Sequence, residues 1–595
     1  MKLSDFVMNF IAGSGVDHVF FLPGGGCMHL VDSLGRNTDL RKTCCLHEQA
    51  AAIAAEAYGQ FTNNMGAILV TTGPGATNAI TGVAGAWIDS TPMMVISGQA
   101  KRSDLIGASG VRQRGVQEVD IVSIVKPITK YAVTVMDPQT IAFHLQKARY
   151  LATHGRKGPV WIDIPLDVQG SQVDEATLPA FVPDTPHDGL TPDELHDRAA
   201  TAAQFVASAE RPVILAGNGI RLSGATALFR SIIDSLNIPV LLTWKASDFL
   251  DENDPLYCGK PGIIGQRGAN FTQQNADVLL TIGARLDFCQ IGFDSANFAP
   301  RAKKIVVDID GHEIDKLDTG IDLPIPADAG AFLGAFLDEL KKMRVNDHTS
   351  WLVRCRERHL RYPVILPEYR RPEGLVNPYY LIDVLSDLLT VDDVFVPGSS
   401  GSCAEVSLQA FRIKTGQRLL NTPGLGAMGF GLPASFGACI ASEGRRTTTV
   451  IGDGGLQHNI QELQTIARLN LPLKIFILNN NGYGSIRNMQ KTHFNGNLVA
   501  CDPSSGLTLP DTCKVAEAYG LPVKRIRDQA NLRRDVKEVL DAPGTVICDI
   551  LVDPDVPTAP RTSSRALPDG RMVSMPFEDL WPFLERDEVA GNLRP

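Results

Sequence analysis

The chain has 595 residues, 44% hydrophobic and 21% charged, with a formal net charge of -10; at roughly 150 residues per domain this is material for about three to four globular domains. The acidic balance and the lack of any long Lys/Arg run exclude a partner that offers a phosphate backbone, so no nucleic acid is expected. No stretch of 18 consecutive apolar residues marks a membrane span, and Asp5, Asn9 and Asp17 interrupt the opening residues where an export signal would be apolar. The expectation is a soluble, cytoplasmic protein, and the eleven cysteines, which form no CxxC pair, suit reduced thiols there.

In chain order, short β-branched runs alternate with Ala-rich segments of helical period, the pattern of parallel α/β sheets. A first section, residues 1–169, carries strands at "HVFFL" (18–22), "GAILVTT" (66–72), "MMVISG" (93–98) and "GPVWIDIPLDVQ" (158–169). Residues 170–190, rich in Pro and acids, read as a linker. A second section, 191–342, carries "RPVILAGNG" (211–219), "ADVLLTIGARLD" (276–287), "KKIVVDID" (303–310) and a closing helix "GAFLGAFLDELKKM". Charged residues 343–372 read as a second linker. A third section, 373–556, carries "DDVFVPGSS" (392–400), "TTTVIGDGG" (447–455), "LKIFILNNNGYG" (473–484) and "GTVICDILVD" (544–553), and residues 557–595 read as an extended arm. The fold class is therefore α/β, with three doubly wound parallel-sheet domains.

The sharpest constellation lies in the third section. Asp453 ends one apolar strand in "VIGDGG", a helical crossover follows, and the next strand ends at Asn479 and Asn480, with Gly482 and Gly484 beyond. A right-handed crossover brings both strand ends to one sheet edge, so Asp453 and Asn480 converge. A carboxylate, an amide oxygen and a backbone carbonyl are hard ligands suited to Mg²⁺ or Ca²⁺ that also holds a diphosphate. Gly454 and Gly455 let backbone N–H groups approach phosphate oxygens. "PGLGAMGFGLPA" contains GxGxxG at Gly424, Gly426 and Gly429, but lacks the preceding buried strand and the later acid of a dinucleotide turn. Its glycines surround a single apolar side chain, Met428. In the first section, Glu48 heads an alanine run in "CCLHEQAAAIAAEAYG" with almost no polar company, and "TTGPGATNAITGVAGAWIDSTPMMVISGQ" (71–99) runs strand, turn, small-residue helix.

GDGG followed by NN resembles the metal-diphosphate motif of thiamine diphosphate (ThDP) enzymes. "LHEQAAAIAAEAYG", "TTGPGATNAITGVAGAWIDSTPMMVISGQ" and "GLGAMGFGLPASFGA" are similar to their counterparts in acetolactate synthases. The likeness runs in order from about residue 3 to residue 555. It implies a pyrimidine-binding, a central and a diphosphate-binding domain. It also implies that Glu48 hydrogen-bonds N1′ of the aminopyrimidine, a role for which a carboxyl in an apolar pocket is suited because burial disfavours its charged form. Met428 is implied as the wedge that bends the cofactor, the Gly426 carbonyl as acceptor from its 4′-amino group, and Pro74 and Asn78 as part of the cofactor-contacting turn. Asp453, Asn480 and the carbonyl of Gly482 are implied to hold Mg²⁺, within a diphosphate site that takes in Gly452, Gly454, Gly455, Tyr483 and Gly484. Gln117 and Gly25 match positions near the reacting carbonyl, and His47 matches a proton-shuttle position.

Departures from the family pattern are equally plain. The Gln-His pair expected on the diphosphate is replaced within "GSSGSCAE", where Gly398, Ser399 and Ser400 stand; the Phe before Gln-Glu is Val116; the segment after NN reads "GSIRNMQ". The central domain of acetolactate synthases binds FAD, and Gly217, Arg285 and Asp328 match its contact regions, whereas related decarboxylases leave that domain empty or fill it with ADP. The tail "SSRALPDGRMVSMPFEDLWPFLERDE" is similar to ThDP carboligases of surface-polysaccharide and branched-sugar pathways, such as the yersiniose enzyme. The implied activity is carboligation: a 2-oxo acid, pyruvate foremost, loses CO₂ and its two-carbon unit passes to a second carbonyl compound, either pyruvate or a ketosugar. The alternatives are a 2-oxo-acid decarboxylase that does not ligate and a noncatalytic homologue. The resemblance further implies a homodimer or homotetramer with its active site between subunits, and an isologous interface along the alanines that follow Glu48.

Overall fold

The computed structural model describes residues 1–183, 189–566 and 569–593; residues 184–188 of the expected linker, 567–568 and 594–595 of the arm lie outside them. Three parallel sheets flanked by helices follow one another along the chain. The first contains β1 (His18–Phe21), β2 (Arg41–Cys44), β3 (Gly66–Val70), β4 (Met93–Gln99), β5 (Tyr131–Thr134) and β6 (Pro159–Pro165), in the order β2-β1-β3-β4-β6-β5. The second contains β7 (Pro212–Ala216), β8 (Val240–Leu242), β9 (Val278–Ile282), β10 (Lys303–Asp308) and β11 (Leu323–Pro326), in the order β11-β10-β9-β7-β8. The third contains β12 (Val394–Pro397), β13 (Arg418–Leu419), β14 (Thr447–Gly452), β15 (Leu473–Asn479), β16 (Val523–Ile526) and β17 (Val546–Leu551), in the order β13-β12-β14-β15-β17-β16. Counting strands from the start of each sheet, the first and third orders are the same. β3 and β14 are equivalent strands.

The expected strands are all present, because a strand covered by helices on both faces must be apolar nearly throughout. β3, β4 and β6 are buried at every position. Six strands of the three parallel sheets were not expected from the sequence: β2, β5, β8, β11, β13 and β16. Each is an edge strand of its sheet. Most are half-exposed, as in the Arg41–Cys44 and Leu323–Pro326 patterns, so they lack the continuous apolar signal that marks a central strand.

The helix Glu48–Thr62 is the junction of the first and third domains. Its alanines are fully buried between the helices Ile80–Ile88 and Gly431–Ala441 of the same chain. A Cβ at Gly82 would lie 2.5 Å from the Ala52 Cβ, and one at Gly437 would lie 2.3 Å from the Ala54 carbonyl oxygen; only glycine permits this approach. The expected use of these alanines as an isologous surface is therefore corrected, since packing within one chain consumes them.

Two further expectations change. Residues 343–372 are more than a connector: Thr349–Arg361 is a helix whose Trp351, Leu352 and Cys355 join the core of the central domain. The arm is not extended throughout: Arg586–Asn592 is a helix, and the arm is tied to the central domain. Arg267 donates to the carbonyl of Leu580 at 2.9 Å, Asn270 Nδ2 to that of Phe577 at 2.8 Å, and Arg358 to that of Asn592 at 2.7 Å. No helix among the described residues is long and apolar enough to cross a membrane, and all eleven cysteines are unpaired.

Candidate active site

β14 and β15 run in parallel register, with Gly452 beside Leu478, so the loops beyond them share one edge. Asp453 is 3% exposed. Its Oδ1 accepts the Gly454 N–H at 2.9 Å and its Oδ2 the Gly482 N–H at 3.1 Å. Burial, against these hydrogen bonds, pushes its carboxyl up to about 6. Asn480 Oδ1 is buried with no hydrogen-bond partner. An unsatisfied buried amide oxygen is costly unless something outside the protein satisfies it, and beside a buried carboxylate it forms a hard-oxygen pair that fits a divalent cation. Among the described residues no group of three His, Cys, Asp or Glu is arranged to hold a metal ion; the mixed acid–amide set is the candidate metal centre on its own oxygen donors.

The turns around the pair depend on glycine. Gly482 has φ +150°, and a Cβ there would lie 2.1 Å from the Cys501 carbonyl oxygen; a Cβ at Gly454 would lie 2.4 Å from the Tyr483 ring. A cavity of about 680 Å³ opens over these residues, lined by Gly398, Ser399, Ser400, Met428, Gly452, Asp453, Gly454, Gly455, Asn480, Gly482, Tyr483 and Gly484 among others. Gly426 is outside that lining but adjoins it: its φ is +62°, and a Cβ would come 3.3 Å from the Ser399 carbonyl oxygen. Arg561 of the arm, Lys491 and His493 also line the cavity. Sequence reasoning missed them because only the packed arm and the helix Gly484–His493 bring them there.

The first domain presents a second set. His47 is the N-cap of the Glu48 helix, its Nδ1 accepting the Gln49 N–H at 3.1 Å; this gives the imidazole a capping role. Glu48 is 5% exposed, and its Oε2 accepts from Asn78 Nδ2 at 3.0 Å. The expectation that Glu48 lacks polar company is thus corrected by Asn78, which reaches it from the short helix Pro74–Asn78. Gly73, at φ +57°, lies so close to the Gln117 loop that a Cβ would sit 2.1 Å from the Gln117 carbonyl oxygen. Gln117 itself has φ +59°, and the adjacent Glu118 holds the loop by accepting the N–H groups of Arg114 and Gly115, each at 3.0 Å. Gly25 stands exposed in the turn Gly25–Cys27.

These two sets do not share a cavity within one chain. The space over Asp453 is lined by residues between 398 and 561, without Glu48, Asn78 or Gln117. In the same chain the start of the Glu48 helix is instead tied to the third domain's helix Glu462–Leu469: Leu46 N–H donates to Glu462 Oε1 at 2.9 Å, and Arg468 donates to the Cys44 carbonyl at 2.7 Å.

The central domain has its own cavity, of about 660 Å³, beyond the carboxyl ends of its strands, where open α/β sheets bind ligands. Asn218, Gly219, Arg285, Asp308 and Asp328 line it together with Asp89, Arg156 and Lys157 of the first domain. Arg285 donates to the Ile88 carbonyl at 2.9 Å. Asp328 caps the helix Ala329–Leu340 through the N–H groups of Gly330 and Ala331, a structural role that the sequence reading did not anticipate. Gly217 is not part of the lining; a Cβ there would lie 2.1 Å from the Gly283 carbonyl oxygen, so its glycine serves strand-end packing.

Three α/β domains, with an acid–amide pair facing a diphosphate-sized cavity, define a ThDP enzyme. The thiamine pyrophosphate enzyme family is matched in three parts: its N-terminal TPP binding domain over residues 1–124, its central domain over 199–336 and its C-terminal TPP binding domain over 399–550. The chain is 32% identical over 566 residues to a probable acetolactate synthase large subunit of Methanocaldococcus jannaschii, covering 93% of this chain and 92% of that protein. It is 33% identical over 553 residues to the acetolactate synthase large subunit of Parasynechococcus marenigrum, covering 92% and 86%. Against that of Corynebacterium glutamicum it is 32% identical over 588 residues, covering 97% and 90%. The chain belongs to the acetolactate synthase large-subunit family of ThDP enzymes.

Proposed function

We propose that the protein is a carboligase that decarboxylates pyruvate and joins the two-carbon unit to a second carbonyl compound, giving acetolactate when that compound is pyruvate. ThDP, when bound, supplies the electron sink that makes loss of CO₂ feasible. The chain's residues bind, orient and move protons. Asp453, the orphaned amide oxygen of Asn480 and the Gly482 carbonyl hold Mg²⁺ on the diphosphate. Ser399, Ser400 and the Gly455 N–H would donate to the diphosphate oxygens, in place of the Gln-His pair that this chain lacks, while the Gly454 N–H stays on Asp453 Oδ1 at the edge of that site. Met428 would be the apolar wedge between the cofactor's rings, and the Gly426 carbonyl would accept from its 4′-amino group. Glu48, oriented by Asn78, exchanges a proton with the aminopyrimidine N1′. Gln117 and Gly25 border the reacting carbonyl, while His47 keeps its capping bond.

The observation that carries this reading is the buried, unpartnered Asn480 oxygen beside Asp453, on a cavity that needs Glu48 from elsewhere. Because the two half-sites of one chain face different spaces, the working site pairs the first domain of one subunit with the third of another, and a homodimer is the smallest active unit; a tetramer would repeat it. The domain division is 1–169, 191–342 with the helix Thr349–Arg361 added to its core, and 373–556. FAD is assigned to the central cavity, where Arg285, Arg156 and Lys157 offer cations and Asp308 an acid at a strand end. The unpaired cysteines support a cytoplasmic setting.

Purified protein supplied with ThDP, Mg²⁺ and pyruvate should yield acetolactate by mass spectrometry, and an absorption spectrum of the protein as isolated should show flavin. Acetaldehyde as the sole product would replace ligation by simple decarboxylation. Ligation only with an added ketosugar would assign the altered Val116 and "GSIRNMQ" segments to a different acceptor.

A further inference from the structure

Behind the first domain's half-site lies a branched network of polar side chains, all buried except the half-buried Thr134. Asp163, in the middle of β6, is fully buried. Its Oδ1 accepts from Ser97 Oγ at 2.6 Å, and its Oδ2 accepts from Thr134 Oγ1 at 3.0 Å and Gln99 Nε2 at 3.1 Å. Ser97 Oγ in turn accepts from Trp161 Nε1 at 2.8 Å. Gln99 uses every position of its amide. Nε2 also donates to the Val119 carbonyl at 2.9 Å, while Oε1 accepts from Thr72 Oγ1 at 2.9 Å and from the Ala100 N–H at 2.9 Å.

Both outward bonds of Gln99 end on the half-site. Thr72 opens the turn Gly73–Pro74, which leads to Asn78 and hence to the Glu48 carboxylate. Val119 follows Gln117 by two residues, and the two loops touch where Gly73 meets the Gln117 carbonyl. An amide whose four hydrogen-bonding positions are all used has one orientation: the Ala100 N–H can only donate and the Val119 carbonyl can only accept, so Oε1 faces Ala100 and Thr72 while Nε2 faces Val119 and is anchored by the Asp163 carboxylate. We propose that Asp163 and Gln99 form a positioning pair for the reaction, in which the carboxylate anchors the amide and the amide holds the Pro74 turn and the Gln117 loop in mutual register. The pair touches neither cofactor nor substrate. The inference rests on the reading that Glu48 and Gln117 face the reacting groups.

Burial raises the Asp163 carboxyl to about 7, Ser97, Gln99 and Thr134 lower it, and Asp120, beyond the Gln117 loop, is the charged neighbour that raises it further. Protonation of Asp163 below neutrality would replace its charge-assisted bond to Gln99 by a weaker one, so the pair leaves a signature in the pH profile.

Three isosteric variants test the assignment. Asp163→Asn removes the charge from the acceptor that Gln99 Nε2 and Thr134 face; kcat on pyruvate should fall about ten- to a hundred-fold, the cost of a small misplacement of reacting groups, with KM little changed and the acid limb near neutrality lost. Thr72→Val removes the bond to the turn and should lower kcat in the same way. Thr134→Val removes an equivalent bond to Asp163 that leads to no loop, and should leave the activity plateau within about two-fold while moving the acid limb upward. ThDP affinity, read from quenching of protein fluorescence, and far-UV circular dichroism accompany each assay. Unchanged kcat and pH profile in a folded Asp163→Asn protein would overturn the proposal, as would equal losses in Thr72→Val and Thr134→Val; the latter pair decides the matter if Asp163→Asn fails to fold. A wild-type protein that binds no ThDP would instead overturn the functional reading on which the pair depends.

Discussion

Glu48 and Glu56 stand two turns apart on one alanine-rich helix, and their surroundings separate their chemistry. Glu48 occupies the first turn, where unsatisfied N–H groups favour an anion, and Asn78 donates to it. Glu56 lies within the helix body against Gly85, fully buried, with Gln60 as donor; burial first, then the nearby Asp89, pushes it up to about 8. Glu48→Gln should keep ThDP binding but cost about 10²–10⁴-fold in kcat, the usual worth of a positioned proton-transfer group; stopped-flow assays on saturated enzyme would check it. For Glu56, the folded chain holds a proton that the unfolded chain releases from its ordinary 4.5 upward. Its contribution to stability therefore falls as pH rises from about 4.5 to about 8 and is constant above. Glu56→Gln should flatten the decline of the thermal midpoint across that window. An unchanged slope would show that Glu56 does not titrate there.

Elements explain which parts of the chain were legible. Central strands such as β3, β4 and β14 announce themselves because two helical layers demand apolar side chains at every position. The six edge strands carry one covered face at most, so their composition resembles that of loops. The helix Thr349–Arg361 was hidden for a related reason: its charged residues, among them outward-facing Arg354, Glu357 and Arg361 and Arg358 bonded to the arm, dilute the signal of Trp351 and Cys355, which the core takes in. Close approach of helices leaves a sharper mark. At Gly437 even a methyl group would meet the Ala54 carbonyl. Gly437→Ala should therefore lower stability by about 1–3 kcal/mol, the typical cost of overpacking, measured as a shift in the denaturant midpoint, while kcat per folded molecule is retained.

At the scale of the molecule, the first and third sheets repeat one strand order, and each half-site follows the third strand of its sheet: the Pro74 turn after β3, Asp453 after β14. No sequence repeat reveals this, because the two turns meet different groups and share only a Gly-x-Gly pattern, at Gly73–Gly75 and Gly452–Gly454. One face of each repeat is consumed where the Glu48 helix meets the helix Gly431–Ala441, which leaves the half-sites of a single chain apart. Dilution of the enzyme below its subunit dissociation range should thus abolish activity in step with the loss of dimer seen by light scattering, and mixing an inactive Glu48→Gln protein with an inactive Asp453→Ala protein should restore part of it. Lack of any recovery in mixed dimers would place both half-sites in one chain.

The sequence by itself determined the fold class, the three sections and the acid–amide pair at 453 and 480, because each depends on local composition: buried strands must be apolar, and hard cations and phosphates require oxygen donors and glycine turns at strand ends. Tertiary structure alone decided that the alanines pack inside one chain, that Asn78 completes Glu48, that Asp163 and Gln99 brace two loops, and that the arm delivers Arg561 to the cavity. Those relations join residues tens to hundreds of positions apart, and their physical content lies in distance and burial, which no local pattern of residues encodes.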